Sequence, residues 1–192
     1  MQEAIEKIEK QIGSKKKTLL LAAIESAQGV VNAVDIARCS DRLMGIALGA
    51  EDFVRDLRTQ RTKQGSELTA ARAQILLAAR AAKINAFDSV FSDVRDKEGF
   101  IAEVKYIKGL GFDGKSLINP NQISTLHSLY APSKDEIEWA QEVLEAAEDA
   151  KVQGLGVVSI DGRMVDAPVI ARANFTIELA RASGLMGEDN EY

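Results

Sequence analysis

Four short apolar runs, each followed by a stretch of helical periodicity, constrain this chain more than any other feature. They are Thr18 to Ile24, Leu43 to Leu48, Ala86 to Val90 and Gly114 to Ile118. The first is a continuous run of the kind that suits a parallel strand buried on both faces. Between the runs lie helical patterns. Ser26 can cap a helix carrying Val30, Val31, Val34 and Ile36. Ser66 to Lys83 places Leu68, Ala71, Ile75, Leu76 and Ala79 on one face. Lys97 to Leu110 places Phe100, Val104 and Ile107 at helical spacing, with Gly111 as the residue that ends it. Strand–helix alternation implies a parallel sheet. Four units fit either an open doubly wound sheet or half of an eight-stranded barrel, which takes about 250 residues. Periodicity alone does not choose between them.

Elements of a different kind flank these units. Met1 to Ile12 reads as a helix with isoleucines at 5, 8 and 12. Ser133 and Glu136 form a capping box before Ile137, Ala140, Leu144 and Ala147. Val157 to Ile160 and Arg163 to Val165 flank Asp161-Gly162, a two-residue hairpin turn. Pro168 opens a helix that Gly184 ends, and Glu188 to Tyr192 reads as a frayed acidic tail. No low-complexity linker divides the chain. By element content it sorts into a partial barrel over 1–130 and a helical extension with a hairpin over 131–192.

Composition excludes several functions. The net charge of −5 and pI near 5.1 argue against general nucleic-acid binding. One cysteine, Cys39, and one histidine, His127, cannot build a thiolate or imidazole metal site. A metal site here must use oxygen ligands, which suits Mg²⁺, Mn²⁺ or Ca²⁺. The apolar runs are far shorter than a bilayer span, and the N-terminus lacks the apolar core of a secretory signal. A cytoplasmic setting is expected.

In parallel α/β folds, function concentrates where the strands end. Glu25 follows the first run, and Glu51 and Asp52 follow the second. Two such carboxylates can hold one Mg²⁺, whose remaining positions take water and substrate oxygens. The same residues also fit a helix's first turn, where acidic side chains are favoured without any ligand. Spacing cannot say which of Glu51 and Asp52 faces inward. Asp166 precedes a helix and fits a helix-terminus charge. Lys115 reads as a lysine snorkelling from a strand end. His127 and Cys39 read as structural and packing residues, and Arg55, Arg58 and Arg61 as a solvated basic loop.

Several ordered blocks carry a resemblance. They are Ala23-Ile24-Glu25-Ser26-Ala27, Gly45 to Asp52, Phe87 to Asp93, Gly111 to Pro120, Gly156 to Ser159, and Met164 to Pro168. In order and spacing they resemble the citrate lyase β subunit family, from about Ile5 to Gly184. The resemblance implies a partial (β/α)₈ barrel of the phosphoenolpyruvate-binding type. It implies Glu25 and Asp52 as Mg²⁺ ligands, Glu25 near substrate, and backbone amides around Ala50, Glu51 and Asp52 on a substrate carboxylate. It implies Asp166 as a catalytic acid or base, often reaching a neighbouring subunit's site. The implied reaction cleaves a citryl thioester on an acyl carrier protein to oxaloacetate and an acetyl thioester. An acyl carrier protein and a citrate lyase α subunit are the implied partners. Relative to that family the chain lacks about four N-terminal strands, including a strand-end arginine and an acidic strand-end motif. A half barrel leaves open strand edges and an apolar face, so self-association is expected. Two other readings stand beside this one: a non-catalytic remnant, and a malyl-CoA- or citramalyl-CoA-type lyase.

Overall fold

A computed structural model describes residues 1–152, 158–160 and 162–186. The chain divides into two compact units, residues 1–126 and the remainder from His127.

In the first unit, β1 (Leu20–Ile24), β2 (Leu43–Leu48), β3 (Asn85–Asp88) and β4 (Gly114–Lys115) form one sheet. Every neighbouring pair is parallel and the order follows the chain, β1-β2-β3-β4. A doubly wound sheet reverses its strand order at a switch point. This one never does, so it is the α/β arc of a (β/α)₈ barrel. The elements between the strands are α2 (Ala27–Val31), α3 (Ala33–Ala37), α4 (Ala50–Asp56), α5 (Thr69–Ala82) and α6 (Lys97–Leu110), while α1 (Gln2–Gln11) precedes them. The helix expected from Ser26 is capped there, Ser26 Oγ accepting the Gly29 N–H, but it divides at Asn32 into α2 and α3.

Parallel register places paired residues on one face. Ile24, Ile46, Leu48, Ala86, Asp88 and Lys115 share a buried face. It packs against the helices, chiefly α5 on β2 and β3. The opposite face carries Leu21, Gly45, Phe87 and Gly114. A Cβ on Gly45 or Gly114 would stand 3.0 or 3.2 Å from the Phe87 ring, so two glycines make room for one aromatic side chain. The expectation that the first run is buried on both faces is corrected. β1 is a sheet edge, and Leu19 and Leu21 are 56% and 53% exposed. A continuous apolar run records what a strand can bury, not what covers it.

The two ends of α6 follow from local chemistry. Asp96 accepts the Gly99 N–H at 2.9 Å, and Gly111, at φ +107°, supplies the left-handed residue that ends the helix. α1 buries no residue. Glu9 holds it through a two-pronged pair with Arg42, at 3.0 and 2.9 Å, and accepts the Thr18 N–H at 2.6 Å. These bonds, above all those from Arg42, pull the Glu9 pKa down to about 2.

α7 (Ile123–Tyr130) carries His127, which is exposed. The second unit continues with α8 (Lys134–Val152), the antiparallel pair β5 (Val158–Ile160) and β6 (Arg163–Val165), and α9 (Ala167–Ala182). The capping box is reciprocal: Ser133 Oγ accepts the Glu136 N–H at 3.2 Å, and Glu136 Oε2 accepts the Ser133 N–H at 2.8 Å. Ala140, Val143, Val165, Ala173 and Ile177 form its core. Gly162, at φ +75°, serves the hairpin turn. Gly156, Val157, Asp161 and the acidic tail lie outside the described residues.

Candidate functional site

The candidate site grows from the ends of β1 and β2. Glu25 is the first residue past β1, and Gly49 the first past β2. The Gly49 N–H donates to the Ile24 carbonyl at 2.9 Å, so the parallel ladder runs out to this level. The Glu25 side chain lies directly against Gly49. A Cβ there would stand 2.5 Å from Glu25 Cγ and 2.7 Å from its Oε1. Only glycine leaves that space to the carboxylate. Gly49 also opens α4, whose first turn carries Glu51 and Asp52.

Both members of the Glu51–Asp52 pair meet other side chains. Glu51 accepts from Ser92 Oγ at 3.1 Å and from Arg61 at 3.2 Å. Asp52 pairs with Arg55 at 2.7 Å, but that arginine is 81% exposed. A pair of this kind contributes little and yields easily to a stronger cation. Glu25 lies just past β1 and Asp52 in the first turn of the helix that follows β2, and both are oxygen donors of the kind Mg²⁺ takes. Among the described residues no cluster of three or more His, Cys, Asp or Glu side chains forms. Mg²⁺ does not require one, because water and substrate oxygens complete its shell.

Ala50, the first residue of α4, has its amide engaged. Its N–H donates to Ser89 Oγ at 3.3 Å. Of the three backbone amides expected on a substrate carboxylate, this one already has an acceptor. Asp166 lies in the second unit, where it caps α9 by accepting the Val169 N–H at 3.2 Å. That is the helix-terminus arrangement its sequence position allowed.

Beneath the site lies a charge cluster that sequence reading missed. Asp88, at the end of β3, is fully buried. Arg72 of α5 forks onto it, Nε at 2.8 Å from Oδ1 and Nη2 at 2.9 Å from Oδ2. Lys115 Nζ stands 2.7 Å from Asp88 Oδ2 and 2.6 Å from Glu103 Oε1, and donates to the Ser89 carbonyl. Arg72 also reaches Glu103 at 2.9 Å. Two cations and two anions balance. Burial alone would raise the Asp88 pKa, but the charges of Lys115 and Arg72 hold it below the ordinary carboxylate range. Burial likewise opposes the Arg72 charge, and the bonds to Asp88 and Glu103 overcome it and raise its pKa. Lys115 is thus no snorkelling lysine. Its side chain is enclosed because its cation meets partners inside. Arg61 is not a free loop residue either: it stands 3.2 Å from Glu51, 3.6 Å from Glu67 and 3.7 Å from Glu103. Cys39, expected to pack, is exposed. The signal for Arg72 was present. It falls between Leu68 and Ile75 on the apolar stripe of α5, where a charge must find a buried partner.

A singly wound barrel arc with carboxylates just past its strand ends belongs to the (β/α)₈ class, whose sites lie at that edge. The sequence profile of the HpcH/HpaI aldolase/citrate lyase family matches residues 1–120, and the chain belongs to that family. It is 55% identical to the citrate lyase subunit beta of Escherichia coli K12 over 189 residues, covering 98% of this chain and 63% of that protein. It is 37% identical to a (3S)-malyl-CoA thioesterase of Cereibacter sphaeroides, covering 85% of this chain and 57% of the relative. A crystal structure of CitE from Mycobacterium tuberculosis, in complex with magnesium, acetoacetate and coenzyme A, superposes with a TM-score of 0.70 at 32% identity. The match covers 88% of this chain and 62% of that one. The chain therefore spans less than two thirds of the length of these relatives.

Proposed function

We propose that this chain is the metal-holding portion of a Mg²⁺-dependent lyase that cleaves a citryl thioester, carried on an acyl carrier protein, to oxaloacetate and an acetyl thioester. The observation that carries the reading is the Glu25 carboxylate seated against Gly49, at the ends of adjacent parallel strands and three residues from Asp52. Glu25 and Asp52 hold the ion. When bound, Mg²⁺ supplies Lewis-acid polarisation of the oxo-acid oxygens. The amides of Glu51 and Asp52 orient the adjoining carboxylate, with the Ala50 segment held in place beside them. Breaking the carbon–carbon bond turns the citryl hydroxyl into the oxaloacetate carbonyl, releasing its proton, and leaves electrons on the acetyl thioester carbon, which must take one up. Asp166, reaching a neighbouring subunit's site, accepts the first proton and returns it to that carbon.

The 55% identity to a citrate lyase β subunit supports this substrate over a malyl-CoA-type one, for which identity falls to 37%. By the same likeness the partners are an acyl carrier protein and a citrate lyase α subunit. The 1–130 segment serves as barrel and 131–192 as extension. The open edge of β1, with Leu19 and Leu21 exposed, supports assembly with a further copy of the chain. The acidic composition and single cysteine support a cytoplasmic setting. No helix among the described residues is long and apolar enough to cross a membrane.

The test is Mg²⁺-dependent oxaloacetate release from a citryl thioester by the purified chain. Release that disappears in Glu25→Gln is the expected result. Release undiminished in that variant removes Glu25 from the site. No release, with metal binding intact, favours the non-catalytic reading.

A further inference from the structure

Ser89 is the first residue after β3 and is 1% exposed. It is gripped from two directions. Its carbonyl accepts from Lys115 Nζ, which the buried carboxylates of Asp88 and Glu103 fix in turn. Its hydroxyl accepts the Ala50 N–H and donates to the Val90 carbonyl. The Ala50 amide lies in the first turn of α4 and has no acceptor within the helix. Gly49, the residue before it, is tied on its other side to the Ile24 carbonyl. The turn that carries Gly49 and Asp52 is thus suspended between the end of β1 and the hydroxyl of Ser89. Glu25 rests on that turn.

We infer that Ser89 is a positioning residue for the metal-holding carboxylates, transmitting the rigidity of the buried Arg72–Asp88–Glu103–Lys115 cluster to the turn beside Glu25. This rests on the metal reading proposed above. Without the hydroxyl, the Ala50 N–H is buried with no acceptor, and the turn relaxes until the amide finds one. Asp52 then shifts relative to Glu25. A lone carboxylate moved off its position holds a small, geometrically demanding ion poorly. Ser92 provides the contrast. Its hydroxyl reaches the same turn, but from the solvent side and only at the Glu51 carboxylate.

The experiment is a Mn²⁺ titration followed by electron paramagnetic resonance, on the full chain and on Ser89→Ala, Ser92→Ala and Glu25→Gln. Circular dichroism melts confirm that each variant is folded. Groups that orient a metal ligand typically change affinity about 10- to 100-fold. Ser89→Ala is expected to lose about tenfold, at the low end because it acts through backbone, while Ser92→Ala stays within about twofold of the parent. Unchanged affinity in Ser89→Ala overturns the inference. So does an equal loss in Ser92→Ala, which would mean any contact to this turn matters alike. Glu25→Gln binding Mn²⁺ as the parent does would instead bring down the metal reading itself.

Discussion

Asp88→Asn is a substitution of one atom that unbalances the buried cluster. The side chain keeps its shape but loses its charge, leaving Arg72 and Lys115 against Glu103 alone. Three short bonds are affected: two from Arg72 at 2.8 and 2.9 Å and one from Lys115 at 2.7 Å. The amide oxygen can still accept, but the amide nitrogen now faces a cation. Breaking a buried pair by removing one partner costs about 3 to 5 kcal/mol. The middle of that range, about 4 kcal/mol, is the expected loss. At a urea m-value of about 2 kcal/mol/M, the midpoint falls by about 2 M. Urea unfolding read by far-UV circular dichroism measures this, while fluorescence of Trp139, the one tryptophan, reports the second unit. Pairing the change with Lys115→Met restores neutrality. The double variant is expected to recover about 1 to 3 kcal/mol relative to additivity. A loss below about 1 kcal/mol for Asp88→Asn, or strict additivity in the pair, refutes the account of the cluster as an interdependent neutral set.

Gly49→Ala adds one methyl into the Glu25 side chain. Because the displaced group is a flexible side chain rather than backbone, and Gly49 has a negative φ, stability changes by less than about 1 kcal/mol. Metal affinity falls at least tenfold in a Mn²⁺ titration, and parental affinity contradicts the seating of Glu25. Glu9 titrates from about 4.5 when unfolded to about 2 when folded. Its contribution is therefore present above pH 4.5 and is lost as pH falls from there toward 2. Helicity of α1, followed by circular dichroism, declines in that window, and Glu9→Gln flattens the decline; an unaltered profile counts against Arg42 as the anchor. Asp166→Ala removes the α9 cap and costs about 1 kcal/mol by thermal melting. If Asp166 also delivers the proton, turnover in an active assembly disappears while Mn²⁺ affinity stays; full activity leaves it a cap alone.

What the sequence disclosed follows from how far each interaction reaches along the chain. α6 ran from Lys97 to Leu110 as its periodicity and its Gly111 required, because caps and stripes are local. The capping box at Ser133 was legible for the same reason. Strand order was not, since nothing in a single apolar run names its neighbour. The buried cluster pairs residues 12 to 31 positions apart, and of its four charges only Arg72, on an apolar stripe, stands out in its local sequence. Lys115 beside Gly114 therefore reads as a surface lysine until β3 and α6 close over it. Of the candidate site, the positions of Glu25 just past β1 and of Asp52 in the turn after β2 were legible, but the space Gly49 leaves for Glu25 and the hold of Ser89 on Ala50 exist only after β1, β2 and β3 align.

The central claim is that Glu25 and Asp52 hold one divalent ion at adjacent strand ends. Calorimetric titration of Mg²⁺ into the chain with oxaloacetate present tests it most directly. One site per chain is predicted, weakened at least tenfold in Glu25→Gln and in Asp52→Asn while both variants remain folded. Undiminished Mg²⁺ affinity in the two variants would contradict it.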